Sequence, residues 1–472
     1  MTTMDAVAKT VRLSARRKRL DPQRYRWFDA WLRADGENLK ALVEKTVRFL
    51  EHHEESTKAR SRARRATDLA HHLARVEAIV CNLAYAVLQP PQNERLAVKL
   101  GNGRKGRSRY DSPVYGKTLS PLISTLDEID ILRVYAPSVR RREVSSIEPT
   151  GWFAQKVREF GVQLSDFGRD NTEEVILLNR SFREAAPGAS RAGESVKHRE
   201  PVDYHDTAQT RLYRDAMGRL NAILKNASID FIDDGLEPVI DPFDRTMKRH
   251  FVILKDQEPR FDQSGRLYGG FWQNLKSDRR RHIRIDGEPI ANLDFGSMYT
   301  RLAYLEVGAT PPEGDLYAIP GCEGYRSGIK LAMNCFLFDG GNRSKWPVEL
   351  GVGIGSDKDA EIDPLGEAAS CDARLPKGWG VGKTRAAILA VHPALKGAWG
   401  RHLGYKLMHT ESEILVAVLE TLFARNITAL GLHDGIFVAA SKGDEAKAVM
   451  IDKAAEVAGG RIPVSVKLML SR

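Results

Sequence analysis

Two aspartates, Asp294 and Asp434, each lie at the end of an apolar run that is typical of a β-strand. Asp294 closes "PIANLDF" before a helix expected near Ser297, and Asp434 lies in the turn of "ALGLHDGIFVA". A single acid there is explained equally well as a helix N-cap. Two such strands that pair would bring the carboxylates together, where their repulsion favours divalent cations between them. Two metal ions ~3.5 to 4 Å apart clamp both oxygens of a phosphoryl transfer, so the pair predicts that chemistry.

The segment between the aspartates, "YRSGIKLAMNCFLFDGG", carries four functional side chains spaced four residues apart. Arg326, Lys330, Asn334 and Phe338 should share one broad helix face, because each step of four residues drifts by only ~40°. Two cations, an amide and an aromatic ring on one face suit a triphosphate and a stacked base or sugar. The alternative is an amphipathic helix whose polar stripe faces solvent.

Length and composition indicate a globular protein. At 472 residues the chain can form two or three domains, each with its own core. No apolar run reaches the ~18 residues of a membrane span, and the N-terminus lacks the apolar segment of a secretory signal. We therefore expect a cytoplasmic protein, associated with the nucleoid if bacterial, with no membrane partner. The four cysteines form no CxxC pair and are expected to be free thiols.

Positive charge is concentrated in the first third of the chain. The net charge is +10, and residues 1–150 hold 29 Lys and Arg against 18 Asp and Glu. Such an excess attracts a polyanion through counterion release, and nucleic acid is the commonest such partner. A solvated basic surface is the alternative.

Apolar periodicity divides this basic region in two. Residues 1–90 are predicted to be helical, with a clear pattern from Pro22 to about Gln89. In residues 91–180, a helix over about 117–128 is followed by a strand, "ILRVYA", and a loop with Arg140, Arg141 and Arg142. Helix, strand, basic loop and strand resemble a winged helix-turn-helix, which binds DNA or another protein. Residues 181–205 are predicted to be a linker, and 206–472 a second, strand-rich half.

The second half resembles the family A nucleic-acid polymerases, which include bacterial repair-type DNA polymerases and phage-type single-subunit RNA polymerases. The resemblance covers residues from about 210 to 472. In the family's motif A, a metal-binding Asp is followed seven residues later by Arg, as are Asp294 and Arg301. Arg326, Lys330 and Phe338 match the spacing of motif B, with Phe in place of Tyr. His433 and Asp434 match the His-Asp turn of motif C.

The resemblance implies an α+β right-hand fold, with an antiparallel palm sheet, a helical thumb and helical fingers over about 311–400. By resemblance, Asp294 and Asp434 bind two Mg²⁺ ions, or Mn²⁺, and Arg326 and Lys330 hold the incoming triphosphate. Lys330 then counts with the two aspartates as catalytic. The contacts implied for the nucleotide and for nucleic acid involve further residues: Asn334, Phe338 and Tyr299 for the nucleotide, and Arg301 and His433 for nucleic acid.

The sequence departs from the family's DNA polymerases at two acids. Tyr299 stands where they have Glu five residues after the motif A Asp, and Gly435 stands where they have a third acid after His-Asp. In that family, bulk at the first position blocks the ribose 2′-hydroxyl, so Tyr299 favours deoxynucleotides. The phage-type RNA polymerases also lack the third acid.

Four other segments are rich in arginine or resemble known motifs. "RFDQSGRLYGGFWQNL" resembles a segment that precedes motif A in single-subunit RNA polymerases, so Arg260 and Arg266 could reach template or primer phosphates, unless they face water. "RRRH", Arg279–His282, is predicted to be a solvated turn. "GWGVGKT", 378–384, is one residue short of a phosphate-binding loop. "DGE", 286–288, is predicted to be a turn and not an exonuclease pair.

These observations predict a template-directed DNA polymerase without proofreading, acting on a DNA primer-template with dNTPs, in replication or repair of a phage or mobile element. Two alternatives stay open. One is an RNA polymerase or primase-polymerase that uses rNTPs. The other is a DNA-binding initiator or regulator whose palm is not catalytic.

Overall fold

The computed structural model describes residues 26–58, 62–91, 95–100, 108–138, 140, 143–185, 195–341, 343–346 and 374–469. The chain divides into two compact units, Met1–Glu174 and Val175–Arg472. It is 44% helical and 19% strand, so the predicted α+β class is confirmed. No helix in the described ranges is both long and apolar enough to cross a bilayer. Cys81, Cys322 and Cys335 are free thiols, as predicted, and Cys371 lies outside the described residues.

The first unit contains short strands and four helices within the ranges described. In chain order they are β1 (Arg26–Trp27), β2 (Leu32–Ala34), α1 (Glu37–Ser56), α2 (Ala66–Leu88), β3 (Leu96–Ala97), α3 (Leu119–Glu128), β4 (Leu132–Tyr135), β5 (Ser146–Pro149), α4 (Gly151–Glu159) and β6 (Phe167–Arg169). The strands form a sheet of order β1-β3-β5-β4 and a β2-β6 pair.

The prediction of a helical N-terminal region is only partly correct. Helices α1 and α2 follow the apolar periodicity, and α1 buries Leu39, Leu42 and Leu50 at helical spacing. In the preceding "RYRWFDAWL", the residues that the structure describes, from Arg26 onward, instead form β1 and the start of β2. Asp29 is the reason: its side chain accepts a hydrogen bond from the Trp31 amide at 2.9 Å, and this local turn competes with a helix.

The predicted helix, strand, loop and strand in residues 91–180 are present. Helix α3 precedes β4, and β4 pairs antiparallel with β5. Arg140 lies exposed in the connecting loop, whereas Arg141 and Arg142 lie outside the described residues. The ten residues of α3 include no Lys or Arg and end in two acids, Asp127 and Glu128. This composition does not favour contact between α3 and DNA phosphates.

The second unit alternates strands and helices. In chain order the elements are β7 (Ile176–Ala185), β8 (Ser195–Pro201), α5 (Ala208–Asn226), β9 (Ile229–Phe231), β10 (Met247–Leu254), β11 (Ser264–Gly269), β12 (Ile283–Ile285), β13 (Glu288–Phe295), α6 (Met298–Glu306), α7 (Arg326–Phe338), α8 (Val381–Val391), α9 (Leu403–Ala424), β14 (Ala429–Gly431), β15 (Gly435–Ala439), α10 (Gly443–Ala458) and β16 (Val464–Met469).

The predicted linker, 181–205, is wrong for the residues that the structure describes as strands. Strand β7 runs to Ala185 and pairs antiparallel with β8, and it also pairs in parallel with β10. These strands belong to a four-stranded sheet of order β11-β10-β7-β8. Residues 181–185 pair with residues 195–199 of β8, and only Ser181 is also opposite β10. The segment "SFREA" lacks the regular apolar alternation of a strand, so its own pattern did not reveal this pairing. Residues 186–194 lie outside the described ranges.

A second sheet carries both motif aspartates. Its order is β14-β15-β13-β12-β9, and β16 also pairs with β13. Strand β13 pairs antiparallel with its neighbours β12, β15 and β16. Ile290, Ala291 and Leu293 are fully buried, so the strand that delivers Asp294 lies at the centre of the sheet. Helices α9 and α10 pack against each other and bury the apolar residues next to this sheet.

Candidate active site

Asp294 and Asp434 lie at the same end of two paired strands. Asp294 on β13 is opposite Gly435, the first residue of β15, and the Phe295 amide donates a hydrogen bond to the Asp434 carbonyl oxygen at 3.0 Å. The Asp294 carboxylate accepts a hydrogen bond from the Asn292 side chain at 2.9 Å, which orients it. The prediction that these two strands pair is therefore confirmed.

Gly435 makes this arrangement possible. A Cβ atom at this position would lie 2.4 Å from Asp294 Oδ1 and 2.4 Å from the Leu293 carbonyl oxygen, well inside contact distance. The Asp294 carboxylate thus lies against the backbone of Gly435. In this geometry no side chain fits at position 435, which explains why no third acid follows His433 and Asp434.

A cavity of about 250 Å³ opens beside Asp434. The turn between β13 and α6 forms one wall, and Ser297 in this turn adopts a left-handed backbone conformation, with φ of 51°. Helix α7 contributes another part of the wall. The lining residues are Arg266, Phe295, Gly296, Ser297, Met298, Tyr299, Tyr317, Arg326, Lys330, Asn334, His433 and Asp434.

Helix α7 presents the predicted side chains on one face. Arg326, Lys330 and Asn334 line the cavity, as the spacing predicts. The Arg326 side chain is 60% exposed, and its guanidinium pairs with Asp315 at 2.7 Å. Phe338 lies one step further along α7 and packs edge-on against the Tyr299 ring, with centroids 5.9 Å apart. The face therefore runs from exposed charge at Arg326 to buried aromatic contact at Phe338.

Two buried polar atoms at the cavity have no hydrogen-bond partner within the described part of the chain. One is Oδ1 of Asn334, whose residue is only 4% exposed, and the other is Nδ1 of His433. Buried polar groups are normally paired, so both atoms are suited to contact with a bound polar molecule.

A buried ion pair lies beside these groups. Arg266 on β11 is 3% exposed and contacts Glu411 on α9, with Nε 2.7 Å from Oε2. The Tyr299 hydroxyl donates to Glu411 Oε2 at 3.1 Å and also accepts a hydrogen bond from Arg266. The Arg266 guanidinium is held by this buried carboxylate and also lines the cavity, and its contact with nucleic-acid phosphates stays a prediction.

Sequence reasoning missed Glu411. The segment "KLMHTESEILVAVL" did indicate a buried charge. Glu411 lies at helical spacing, three or four residues, from four apolar residues that are buried: Leu407, Met408, Ile414 and Leu415. A charged residue on the apolar stripe of a helix must be paired when it is buried. Its partner, however, lies 145 residues earlier in the chain and could not be identified from spacing.

Burial and charge shape the ionisation of this cluster. Burial raises the pKa of the Glu411 carboxyl, Arg266 opposes that rise, and Asp434 adds to it. Burial and the neighbouring Glu411 raise the pKa of Tyr299, so its hydroxyl stays protonated and can donate. Burial, together with Arg266 and Arg280, lowers the pKa of His433 to about 3. His433 is therefore neutral near pH 7.

The remaining predicted nucleic-acid contacts are dispersed. Arg260 is exposed and pairs with Asp262 two residues later. The Arg301 guanidinium donates a hydrogen bond to the Gly296 carbonyl oxygen at 3.1 Å, so it braces the turn that follows Asp294. Neither Arg260 nor Arg301 lines the cavity.

The prediction that Arg279–His282 form a solvated turn is wrong for two of the arginines. Arg279 is 7% exposed, and its Nε lies 2.6 Å from a carboxylate oxygen of Asp234. Arg280 is half-buried and lies within electrostatic range of Asp294, with its guanidinium 5.7 Å from the Phe437 ring centroid. The tertiary fold thus brings a cation close to the first motif aspartate.

The segments "DGE" and "GWGVGKT" have ordinary structural roles. Asp286 lies in the turn between β12 and β13, with φ of 51°, and Glu288 accepts hydrogen bonds from Ser441. They belong to the hairpin and form no separate acidic site. The "GWGVGKT" segment leads into helix α8, which begins at Val381, as expected for a helix start.

No protein-family model matches the chain, and no curated protein matches it. The function of the cavity is therefore inferred from its own side chains and from the motif spacing.

Proposed function

We propose that the cavity binds a deoxynucleoside triphosphate and that the protein is a template-directed DNA polymerase, adding dNTPs to a primer 3′ end. One observation carries this proposal. Asp294 and Asp434 lie at the same end of two paired strands, and Asp434 lines a cavity that Arg326 and Lys330 also line. Asp294 lies on the paired strand next to this cavity wall but is not among the lining residues. Carboxylates and cations at one site suit a nucleotidyl transfer, in which the primer 3′-oxygen attacks the α-phosphorus in line and pyrophosphate leaves.

The donor set fits Mg²⁺. Among the described residues no three His, Cys, Asp or Glu side chains cluster, so the proposed ligands are Asp294 and Asp434 alone. Mg²⁺ is commonly bound through one or two carboxylates, with water and substrate phosphates completing the octahedron. When bound, two such ions would activate the attacking oxygen and stabilise the leaving one. Mn²⁺ has the same ligand preference.

The protein's own part is to position the reactants. Asn292 orients the Asp294 carboxylate, and the absence of a side chain at Gly435 leaves room for that carboxylate against the backbone of β15. Lys330 and Arg326 would compensate the charge of the triphosphate. Arg326 already pairs with the exposed Asp315, and in an exposed ion pair that partner is readily exchanged for a phosphate.

The inner wall of the cavity favours a deoxyribose. Tyr299 is 8% exposed, and its ring contacts Phe338. Its bulk leaves less room for a 2′-hydroxyl than a small residue would. The basic first unit would contribute contacts to the DNA backbone, because its excess of Lys and Arg lies within residues 1–150.

Primer extension tests the proposal directly. The full chain is given a labelled primer on a defined DNA template with Mg²⁺, and dNTPs and rNTPs are offered in parallel. Asp294→Asn and Asp434→Asn remove one charge each with little change of shape. Asp286→Asn is the matched control, since it lies in a turn of the same sheet and Asn tolerates its left-handed conformation.

We expect the wild-type chain and Asp286→Asn to extend the primer by template-directed dNTP addition, and both site variants to lose at least 1,000-fold in rate, roughly 4 kcal/mol of barrier. Extension by Asp434→Asn at the wild-type rate would overturn the assignment of that residue. Preferential use of rNTPs would assign an RNA polymerase, and extension that ignores the template a terminal transferase. A folded wild-type chain that binds DNA without extending it would favour the non-catalytic initiator.

A further inference from the structure

One buried network is attached to the cavity wall but belongs to neither the acidic pair nor the cationic helix face. Glu411 accepts hydrogen bonds from Arg266 and from the Tyr299 hydroxyl, and Arg266 also donates to that hydroxyl. All three residues are buried, with exposures of 1%, 3% and 8% for Glu411, Arg266 and Tyr299. Arg266 and Tyr299 line the cavity, whereas Glu411 lies behind them.

The network restrains the Tyr299 ring from both ends. At one edge the ring packs against Phe338, and beyond its hydroxyl lies the carboxylate of Glu411. Phe338 is itself held by Tyr405, with ring centroids 5.2 Å apart. A buried side chain with a charge-assisted hydrogen bond at its tip has little freedom to rotate about its first side-chain torsion.

Rigidity matters for selection at a cavity wall. A ring that can swing aside gives way to one extra hydroxyl at little cost, whereas a ring that is fixed at its tip excludes it. In general, a wall excludes a larger ligand only if the side chains that the ligand would displace cannot move.

We propose that Glu411 is a positioning residue that determines sugar specificity, because it tethers the Tyr299 hydroxyl and so holds the ring as a rigid wall against a ribose. The proposal rests on the function proposed above. Discrimination between dNTPs and rNTPs then depends on the hydroxyl of Tyr299 as well as on its bulk. Glu411 acts through Tyr299 and touches neither the nucleotide nor the reacting atoms.

The chain supplies a matched control on the same helix. Glu413, two residues along α9, also pairs with a buried arginine, Arg249, which is 1% exposed. Neither Glu413 nor Arg249 lines the cavity. Glu413→Gln therefore reproduces the loss of a carboxylate–arginine contact on α9 without altering the wall.

The test uses Tyr299→Phe, Glu411→Gln, their combination and Glu413→Gln. Tyr299→Phe keeps the ring and the ion pair between Arg266 and Glu411, so it can be tested even if Glu411→Gln fails to fold. The readout is the ratio of kcat/KM for a dNTP to that for the matching rNTP, on one primer-template. We expect Tyr299→Phe and Glu411→Gln each to lower this ratio about tenfold, as loss of one charge-assisted hydrogen bond allows.

The double variant shows whether Glu411 acts through the Tyr299 hydroxyl or whether the two residues affect sugar specificity independently. If Glu411 acts through the Tyr299 hydroxyl, the double variant should show no larger loss of discrimination than either single variant, and Glu413→Gln should keep the wild-type ratio. A wild-type ratio in Tyr299→Phe would overturn the proposal, since bulk alone would then suffice. Multiplying effects in the double variant would overturn it too. A wild-type chain that incorporates neither nucleotide would overturn the proposed function as well.

Discussion

Replacing Gly435 by alanine tests how closely the two motif strands must approach. The added methyl carbon would lie 2.4 Å from Asp294 Oδ1 and 2.4 Å from the Leu293 carbonyl oxygen. Ordinary contacts begin near 3.4 Å, so each overlap is about 1 Å. The carboxylate can rotate away, but the carbonyl cannot, because Leu293 lies on β13 between β15 and β16.

Overpacking of this kind lowers the free energy of unfolding by about 1–3 kcal/mol. Because the contact is with the backbone of a central strand, we expect a loss of about 2–3 kcal/mol in Gly435→Ala. The unfolding temperature of the unit that contains residues 175–472 should fall by about 3–5 °C in calorimetry. The methyl group also displaces the Asp294 carboxylate. Because a misplacement of about 1 Å can cost 100-fold in rate, primer extension should fall by about that factor or more.

Gly431→Ala is the matched control on the neighbouring strand. Its added carbon would lie 3.2 Å from Leu419 Cδ1, the flexible end of a side chain that can move by a few tenths of an ångström. We expect this variant to keep extension within about threefold of wild type and to unfold within about 1 °C of it. If Gly435→Ala is as stable and as active as Gly431→Ala, the described contact between Gly435 and Asp294 is refuted.

Three further predictions concern the surroundings of the site. Burial and two neighbouring cations lower the pKa of His250 to about 4, below its unfolded value near 6.5, so stability should fall as pH drops from about 6.5 to about 4. His250→Gln should remove about 1–2 kcal/mol of this dependence in urea titrations at pH 7 and pH 4.5. Gly404→Ala would place a carbon 2.5 Å from the Phe338 ring and should lower nucleotide affinity about tenfold in equilibrium titrations. Trp272→Phe removes the hydrogen bond to the Gly431 carbonyl and should cost about 2–3 kcal/mol in denaturant unfolding.

Each of these predictions has a clear contrary outcome. An unchanged pH dependence in His250→Gln would show that other groups cause the acid sensitivity. Wild-type nucleotide affinity in Gly404→Ala would show that Phe338 does not support the cavity wall. A Trp272→Phe chain as stable as wild type would show that this hydrogen bond does not stabilise the start of the hairpin.

Local sequence pattern correctly indicated the elements that carry the candidate site. The fourfold spacing of Arg326, Lys330 and Asn334 predicted one helix face, and all three line the cavity. Alternating apolar residues around Asp434 predicted a hairpin, and the structure has β14 and β15 there. These features are readable because helix and strand periodicities are set by residues a few positions apart.

Local pattern failed where the partner was distant. Residues 181–185 form a strand because they pair with residues 195–199 of β8, which lie outside their own segment. The sequence predicted solvated side chains for Arg279 and Arg280. In the fold, Arg279 pairs with Asp234, and Arg280 lies within electrostatic range of Asp294. In each case the charge or polarity of a side chain was visible, but the group that compensates it was not.

The sequence by itself determined the two acidic strand ends, the cationic helix face and the bulky Tyr299, since each depends on residue type and short spacing. Only the tertiary structure decided that Gly435 leaves room for the Asp294 carboxylate and that Arg266 is buried against Glu411. It also decided that the Tyr299 hydroxyl reaches Glu411, 112 residues further along the chain. Burial and pairing at that range follow from how the sheet and helix α9 pack, and packing is a property of the whole fold.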